Sequence, residues 1–442
     1  MRLRSTRTPS DAGDDGDVSL GEGVRRGLAD DGGLYLPVTW PRLAPPPARL
    51  PQTPGATAAW SAPRLLGSPR GDAVDEPDWA SIATAALDFP VPWTPLGDDL
   101  RLLELFHGPT LSFKDVGARF LAHLLASEGG GARTILVATS GDTGGAVAHA
   151  IQGVPGLRAA ILFPRGRVSE VQRRQFTTLG PDVLAIEVEG PFDRAQALVK
   201  AALGDPGAVS AYRLTSANSI NPGRLLPQVF YYLHLARLQG WGREDPGTPG
   251  DVVVPSGNLG NVTAGVLAQR AGAPLGRLIA ACNRNDALVR FQADGRTRAL
   301  PVRPTRSSAM DVGTPSNLER LESLFRHDVG ALASGLPAWS ASPAETRDSM
   351  AWAWREHGVL IDPHTAVGVA VARREVSSGA DAAPVTVLAT AHPAKFPTAV
   401  REATGQTPEV PEALRRGGTR ESVATLGGSL HDLLQLLREW GP

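Results

Sequence analysis

Short apolar runs alternate with amphipathic segments between residues 134 and 214. Within 192–203 the apolar residues recur every three or four positions, which is the spacing of one face of a helix. Short apolar runs separated by single helices are typical of a parallel sheet covered on both faces. The pattern predicts strands at 134–138, 157–163, 183–188 and 209–214, and helices at 144–151, 168–179 and 192–203.

The same alternation returns after the long segment 222–238. It predicts strands at 251–255, 278–282 and 385–391, helices at 262–271 and 365–374, and a C-terminal amphipathic helix at 429–440. Residues 291–343 are rich in Arg, Pro and Ser, which predicts loops and short helices. We therefore expect an α/β fold with two parallel-sheet domains and a ligand cleft at the carboxyl ends of their strands.

The first hundred residues are rich in proline and predict a loop-rich subdomain. Segment 18–28 and a short helix at 78–87 look structured, and the glycines before Tyr35 predict a turn that leads into a short strand. The expected organisation is an N-terminal subdomain at 1–98, a small α/β domain at 130–220, and a large α/β domain made of 99–129 and 221–442.

Composition narrows the class of protein. The 442 residues carry 44 Lys+Arg and 45 Asp+Glu, a net charge of −1 that favours neither nucleic acid nor a membrane surface as partner. The N-terminal residues lack the apolar stretch of a secretory signal, and no apolar run is long enough to cross a bilayer. A single cysteine, Cys282, excludes an internal disulfide, and the nine histidines show no metal-ligand spacing. We expect a soluble cytoplasmic protein without a metal site.

Lysine is almost absent, which makes Lys114 conspicuous. Only Lys114, Lys200 and Lys395 occur, so 44 − 3 = 41 of the basic residues are arginine, which cannot serve as an amine nucleophile. We interpret Ser112 and Asp115 as capping residues of a helix at 116–127, so that the ammonium of Lys114 meets the positive end of the helix dipole. Together with apolar neighbours this would favour the neutral amine that Schiff-base chemistry requires. An ordinary surface lysine in a first helical turn is the alternative.

Four further segments follow predicted strands and should face the cleft. The glycine- and hydroxyl-rich turn at 139–145 could bind a carboxylate, or be only a turn. Segment 256–261 could cradle a phosphate, or cap a helix; it matches neither nucleotide-binding fingerprint. The Asn- and Ser-rich segment 216–224 ends in an arginine that suits a second phosphate, although an Asn-rich cap is possible. In 389–396, Thr390 could face a ring nitrogen, whereas we interpret His392 as a packed or capping histidine. A reactive lysine with two phosphate sites suggests pyridoxal phosphate.

These segments resemble, in order and over nearly the whole chain, the threonine synthases of bacteria and fungi, a family of fold-type II pyridoxal-phosphate enzymes. The resemblance is carried by 5–7, 27–37, 107–115, 138–144, 168–172, 218–224, 255–261, 310–317, 362–365 and 390–396. It implies that the large domain binds pyridoxal phosphate, that Lys114 is the Schiff-base lysine, and that Asp142 lies near the phenolic oxygen of the cofactor. It further implies that Thr390 meets the ring nitrogen, and that the cofactor phosphate is held by Gly257, Asn258, Leu259, Gly260 and Asn261.

The resemblance also implies a substrate and a reaction. The family converts O-phospho-L-homoserine and water into L-threonine and phosphate, as a monomer or homodimer. By this resemblance Ser140 and Thr143 would hold the substrate carboxylate, and the substrate phosphate would be bound by Asn218, Ser219, Asn221 and Arg224. Three departures are visible: a polar stretch after 5–7, Leu259 where an aromatic residue is usual, and a shortened region before Met310.

Three alternatives remain at this point. A related pyridoxal-phosphate lyase or dehydratase could act on another phospho- or hydroxy-amino acid, although the segment ending in Arg224 favours a phosphorylated substrate. A catalytically inactive homologue is disfavoured because Lys114 is kept in so lysine-poor a chain. A nucleotide-binding α/β protein is disfavoured because both nucleotide fingerprints are missing.

Overall fold

The computed structural model describes residues 1–9, 16–67, 76–129, 131–190, 192–375, 383–415 and 421–441. The strands are β1 (Arg2–Ser5), β2 (Val18–Ser19), β3 (Tyr35–Pro37), β4 (Trp93–Pro95), β5 (Leu100–Glu104), β6 (Arg133–Ala138), β7 (Leu157–Pro164), β8 (Val183–Val188), β9 (Thr215–Ser216), β10 (Val252–Pro255), β11 (Leu278–Cys282), β12 (Ala338–Ser340), β13 (Val385–Ala389) and β14 (Ala424–Leu426).

The helices alternate with these strands over much of the chain. They are α1 (Leu20–Arg26), α2 (Pro54–Leu66), α3 (Trp79–Ala86), α4 (Lys114–Ser127), α5 (Asp142–Ile151), α6 (Glu170–Thr177), α7 (Phe192–Leu203), α8 (Pro206–Tyr212), α9 (Pro222–Leu225), α10 (Val229–Leu238), α11 (Gly260–Arg270), α12 (Ala287–Asp294), α13 (Leu318–Leu324), α14 (Val329–Gly335), α15 (Pro343–His357), α16 (Pro363–Glu375), α17 (Pro397–Thr404), α18 (Glu412–Arg415) and α19 (Leu430–Trp440). Short 3₁₀ turns cover Leu226–Gln228, Ser308–Met310 and Pro393–Lys395.

The larger sheet has the order β12-β11-β10-β13-β5-β4, and all neighbours are parallel except β4 and β5. Its central strands are buried on both faces, as continuous apolar runs predict. In β10, Val252 and Val254 point into one apolar core, and Val253 points into another with α16. Side-chain alternation along the strands therefore supplies two separate cores.

The smaller sheet has the order β14-β8-β7-β6-β9, and every pair in it is parallel. Ile135 and Val137 of β6 join the same core as Val252, so one apolar core runs between the two sheets. Residues 424–426, which we predicted to belong with the large domain, add the edge strand β14, and α19 packs against α7. A third, antiparallel sheet of order β2-β1-β3 forms the N-terminal subdomain.

Most predicted elements are confirmed, with one clear error. Residues 209–214 form the end of α8 and a turn, not a strand. Asp205 accepts a hydrogen bond from the backbone N–H of Ala208 at 2.9 Å, and Pro206 occupies the first helical turn. This capping pattern outweighs the β-rich composition of the run. In the part of the chain that the structure describes, no helix is both long and apolar enough to cross a membrane.

Candidate active site

The two sheets meet at a cavity of about 350 Å³ at the carboxyl ends of their strands. Ala138 at the end of β6 and Pro255 at the end of β10 both line it, which confirms the predicted cleft. The predicted site residues that line it are Lys114, Ser140, Asp142, Thr143, Asn218, Ser219, Arg224, Gly257, Asn258, Leu259, Gly260, Asn261 and Thr390. Asn221 is the predicted residue that does not.

Lys114 is the first residue of α4 and reaches into the cavity. Its Nζ lies 3.3 Å from Oδ2 of Asp142 and 4.5 Å from the centre of the Phe113 ring, and 15% of its side chain is exposed. Burial lowers the pKa of Lys114, although Asp142 opposes this effect; the positive charges of Lys395 and Arg224 lower it further. The structure therefore favours a neutral amine at Lys114.

The capping that we predicted in front of α4 is wrong. Phe113 occupies the cap position and makes no side-chain capping bond, and the buried hydroxyl of Ser112 has no hydrogen-bond partner. Asp115 instead accepts hydrogen bonds from the backbone N–H and the hydroxyl of Thr110, at 2.9 and 2.6 Å. This carboxylate fixes the loop before Lys114 rather than the start of the helix.

Asp142 begins α5 and is held by two residues that the sequence analysis missed. Nζ of Lys395 lies 2.7 Å from its Oδ1, and Nε2 of Gln172 donates to the same oxygen at 2.8 Å. Burial alone would raise the pKa of Asp142, but the charges of Lys395 and Lys114 hold it well below its ordinary value. The carboxylate is thus ionised and fixed in orientation.

The turn before α5 is shaped around Gln172. The hydroxyl of Thr139 accepts hydrogen bonds from the backbone N–H groups of Gly141 and Gly144, at 2.9 and 2.8 Å. Gly141 has φ 137°, and a Cβ there would stand 2.6 Å from Nε2 of Gln172. Ser140 and Thr143 consequently face the cavity at a helix N-terminus, where anions are favoured.

The loop before α11 offers free hydrogen-bond donors. Leu259 adopts a left-handed conformation with φ 62°, which turns the backbone into the helix. Oδ1 of Asn261 accepts hydrogen bonds from the hydroxyls of Tyr231 and Tyr232, at 2.7 and 2.8 Å. Its Nδ2 is buried without a partner in a residue that lines the cavity. A phosphate oxygen is a suitable acceptor for this amide and for the N-terminus of α11.

The opposite side of this loop is braced by a chain of amides. The hydroxyl of Ser219 accepts hydrogen bonds from Nδ2 of Asn258 at 2.7 Å and from Nδ2 of Asn317 at 3.2 Å. Arg320 donates in turn to Oδ1 of Asn317 at 2.6 Å. Asn317 and Arg320 lie within or just after the 310–317 motif, but no spacing in the sequence indicated this network.

Segment 216–224 divides into structural and cavity-facing residues. Asn218 lines the cavity, but its amide is bonded to the backbone N–H and carbonyl of Ala138. The Asn221 amide donates to the carbonyls of Val24 and Ser216 and accepts from Gly223, and the residue is fully buried. We therefore do not carry Asn221 into the proposed substrate site, because its hydrogen-bonding groups are already used.

Arg224 differs from these amides because its charge is unpaired. The side chain lines the cavity, and only 3% of the residue is exposed. One Nη donates to the carbonyl of Ala217, while the buried Nε has no partner, and no salt bridge to Arg224 occurs within the described ranges. Burial lowers its pKa to about 10. Among the described residues no carboxylate contacts this cation, although the charge of Asp115 opposes the fall in its pKa, and the guanidinium is therefore suited to receive an anion.

Thr390 follows β13 and lines the cavity beside His364. Its carbonyl accepts a hydrogen bond from the backbone N–H of Phe113 at 3.0 Å, which ties this loop to that of Lys114. The ring of His392 accepts from the backbone N–H of Ala394 at 3.1 Å, and the predicted capping role is confirmed. The cavity thus brings together an amine, a carboxylate, a hydroxyl and two groups of hydrogen-bond donors that could each bind an anion. This set fits pyridoxal phosphate and an anionic substrate.

Comparison with known proteins gives the same picture. Residues 94–390 match the family model described as pyridoxal-phosphate dependent enzyme, and 365–426 match that of the threonine synthase C-terminal region. Threonine synthases of Serratia marcescens and Escherichia coli are each 39% identical over 399 residues, with 90% of this chain and 90–91% of the relatives covered.

Solved structures are similar over the whole length. The crystal structure of threonine synthase from Escherichia coli has a TM-score of 0.86 and 34% identity, covering 99% of this chain and 100% of that one. The pyridoxal-phosphate-bound threonine synthase from Brucella melitensis has a TM-score of 0.83 and 34% identity, covering 100% and 99%. These similarities extend through both sheets and the cavity between them.

Proposed function

The chain belongs to the threonine synthase family of pyridoxal-phosphate-dependent enzymes, and we propose that it converts O-phospho-L-homoserine and water into L-threonine and inorganic phosphate. The observation that carries this choice of substrate is Arg224, a buried unpaired cation in the same cavity as Lys114. A substrate with a leaving phosphate supplies the anion that this guanidinium lacks. We also propose that the enzyme works in the cytoplasm as a monomer or homodimer.

Four sets of groups would hold the cofactor. Lys114 would bind its aldehyde carbon, Asp142 would lie near its phenolic oxygen, and Thr390 would meet its ring nitrogen. The loop residues Gly257, Asn258, Leu259, Gly260 and Asn261 would bind its phosphate; the free Nδ2 of Asn261 supports this assignment. When bound, pyridoxal phosphate supplies an electron sink that stabilises negative charge developing beside the substrate amine.

Lys114 is proposed to move the protons. As a free amine, Lys114 would remove the proton from Cα of the substrate and then one from Cβ. Burial and the positive charges of Lys395 and Arg224 lower the pKa of Lys114 against the opposing charge of Asp142, which favours the neutral amine that can accept a proton. Loss of these two protons allows the C–O bond at Cγ to break and phosphate to leave.

Arg224 and Ser219 are proposed to stabilise the departing phosphate, and Asn218 to shape the same wall. Ser140 and Thr143, at the N-terminus of α5, would hold the substrate carboxylate and so orient Cα towards Lys114. One of the two abstracted protons returns to Cγ and the other leaves with the phosphate, while water adds its hydroxyl to Cβ and its remaining proton to Cα. The atoms of substrate and water are then fully accounted for by threonine and phosphate.

The test is to incubate the holoenzyme with O-phospho-L-homoserine and to measure phosphate and amino-acid products together. We expect equimolar threonine and phosphate from the wild type and from Lys200→Ala, whose lysine lies exposed on α7. Lys114→Ala should release neither, because the proton-transferring amine is gone. Phosphate with 2-oxobutyrate would instead mean a lyase that loses its intermediate before water adds, and no phosphate from a correctly loaded enzyme would overturn the proposed substrate.

A further inference from the structure

Two lysines contact the same carboxylate, that of Asp142, at the active-site cavity. Nζ of Lys395 lies 2.7 Å from Oδ1 of Asp142, and Nζ of Lys114 lies 3.3 Å from Oδ2. Lys395 is fully buried and does not line the cavity, whereas Lys114 does. Lys395 also donates to the carbonyl of Thr110 at 2.7 Å. The proposed reaction uses Lys114 and leaves Lys395 without an assigned role.

We propose that Lys395 is the permanent counter-ion of Asp142, and that by neutralising this carboxylate it leaves Lys114 free to act as an uncharged amine. Lys395 is then a positioning residue, because it acts through Asp142 and does not reach the substrate. The inference rests on the proposed function only in taking Lys114 as the reactive lysine.

Charge balance supports this assignment. One carboxylate can neutralise one ammonium, and a second ammonium on Asp142 would leave a positive charge that this carboxylate does not compensate. Arg224 already contributes an unpaired positive charge to the same region. One of the two lysines is therefore expected to be neutral.

Geometry decides which lysine keeps the proton. Lys395 has two oxygen acceptors at 2.7 Å, and Thr110 is held in place for it by Asp115. A neutral amine at Lys395 would forfeit charge-assisted hydrogen bonds in the most buried position of the site. Lys114 has one hydrogen-bond acceptor, at 3.3 Å, a contact with the Phe113 ring and a partly exposed side chain, so loss of its proton costs less than it would at Lys395.

A second carboxyl group, Asp115, lies near Lys395, and burial raises its pKa although its hydrogen bonds from Thr110 and the charge of Lys395 oppose this effect. The other charged or titratable groups around Lys114 and Asp142 are Arg224 and His364, and around Lys395 they are Asp115, His149 and His392. Burial lowers the pKa of His149 to about 4 and lowers that of His392, so both are neutral above pH 7. Asp115 is occupied by its two hydrogen bonds to Thr110.

The near absence of lysine allows a direct test. Trace labelling of the cofactor-free protein with acetic anhydride between pH 6 and 11, read by peptide mass spectrometry, reports Lys114, Lys200 and Lys395 separately. We expect Lys395 to stay unlabelled. The half-labelling pH, at which a lysine reacts at half its maximal rate, should for Lys114 lie at least about one unit below that of exposed Lys200. Equal or higher values for Lys114 would overturn the proposal. No substrate or cofactor is used, so this outcome is separate from the outcome for the proposed function.

Variants then assign the effect to Lys395. In Lys395→Met, Asp142 has only Lys114 as a cationic partner, and the half-labelling pH of Lys114 should rise by about one unit or more. Lys395→Arg keeps the charge and should give a smaller rise, and Lys200→Met should give none. An unchanged value for Lys114 in folded Lys395→Met would overturn the proposal.

A charge-balanced variant covers the case in which Lys395→Met does not fold. Lys395→Met combined with Asp142→Asn removes both charges together, which buried sites tolerate better than the loss of one partner. In this double variant the half-labelling pH of Lys114 should again lie below that of Lys200. A raised value in this double variant would contradict a role of Lys395 through Asp142. The holoenzyme's visible absorbance, followed against pH in the same variants, gives a second readout that does not depend on turnover.

Discussion

Two buried arginines on neighbouring segments have opposite surroundings. Arg320 of α13 is fully buried and donates to the carbonyls of Tyr35, Ser219 and Ile220 and to the side chain of Asn317. Arg224 is almost as buried, but it lines the cavity and keeps an unpartnered Nε. Burial lowers the pKa of Arg320 to about 9 and that of Arg224 to about 10.

The comparison shows that burial of a charge does not by itself mark a functional site. Four protein acceptors surround Arg320, so its guanidinium binds the N-terminal sheet to the loop at 219–220. The protein compensates the cost of desolvating Arg224 much less, and an anion bound in the cavity would supply the missing interactions. What distinguishes the two residues is therefore the number of acceptors that the protein itself supplies.

The largest expected effect that tests this contrast is on catalysis. Arg224→Met should lower kcat/KM for O-phospho-L-homoserine by about 10³-fold, because the charge that stabilises the leaving phosphate is lost. The melting temperature should stay the same or rise, since an apolar side chain replaces a poorly compensated buried charge. Steady-state kinetics and calorimetry on one preparation check both statements. A kcat/KM like that of the wild type would remove Arg224 from the site.

A reversed result is expected for the second arginine. Arg320→Met should lower the free energy of unfolding by about 3 kcal/mol, because buried carbonyl oxygens lose their donor. Denaturant titration measures this loss, with Arg347→Met as the control, since Arg347 is exposed and has only a 3.9 Å ion pair. If Arg320→Met proved as stable as the control, counting acceptors would not separate the two arginines.

The smallest effect concerns product binding. Inorganic phosphate at about ten times its Kd should stabilise the wild-type holoenzyme by about 1.4 kcal/mol, because it binds the folded state only. Arg224→Met should lose this gain and Arg347→Met should keep it, as measured by the shift in melting temperature. Equal stabilisation of all three proteins would place the phosphate away from Arg224.

The sequence was most informative about the location of the cleft, because this location depends on where the parallel strands end. The runs at 134–138 and 252–255 are mostly apolar and are buried throughout, and a parallel sheet brings the residues that follow such runs to one edge. For this reason Asp142, Arg224, Thr390 and the loop at 257–261 could be assigned to one cleft, whereas Lys114 was singled out by the rarity of lysine. Confirmed helices such as α7 owe their prediction to a clear apolar stripe.

The errors arise where a side chain has more than one possible partner. Asn221 was predicted to bind phosphate, but the fold places the carbonyl of Val24, from the N-terminal subdomain, within reach of its amide. Lys395 was noticed only as one of three lysines, because its pairing with Asp142 joins positions more than two hundred residues apart. Local spacing does not contain such long-range contacts, although the rarity of lysine was a usable signal.

The smaller sheet has a consequence for how the chain folds during synthesis. β8 is complete early in translation, but its neighbour β14 lies far towards the C-terminus. Until those residues leave the ribosome, β8 presents a row of unpaired backbone groups that another strand can occupy. Slow emergence of the C-terminal segment would therefore favour wrong intermolecular pairing, and a chain released before residue 424 would keep that open edge permanently.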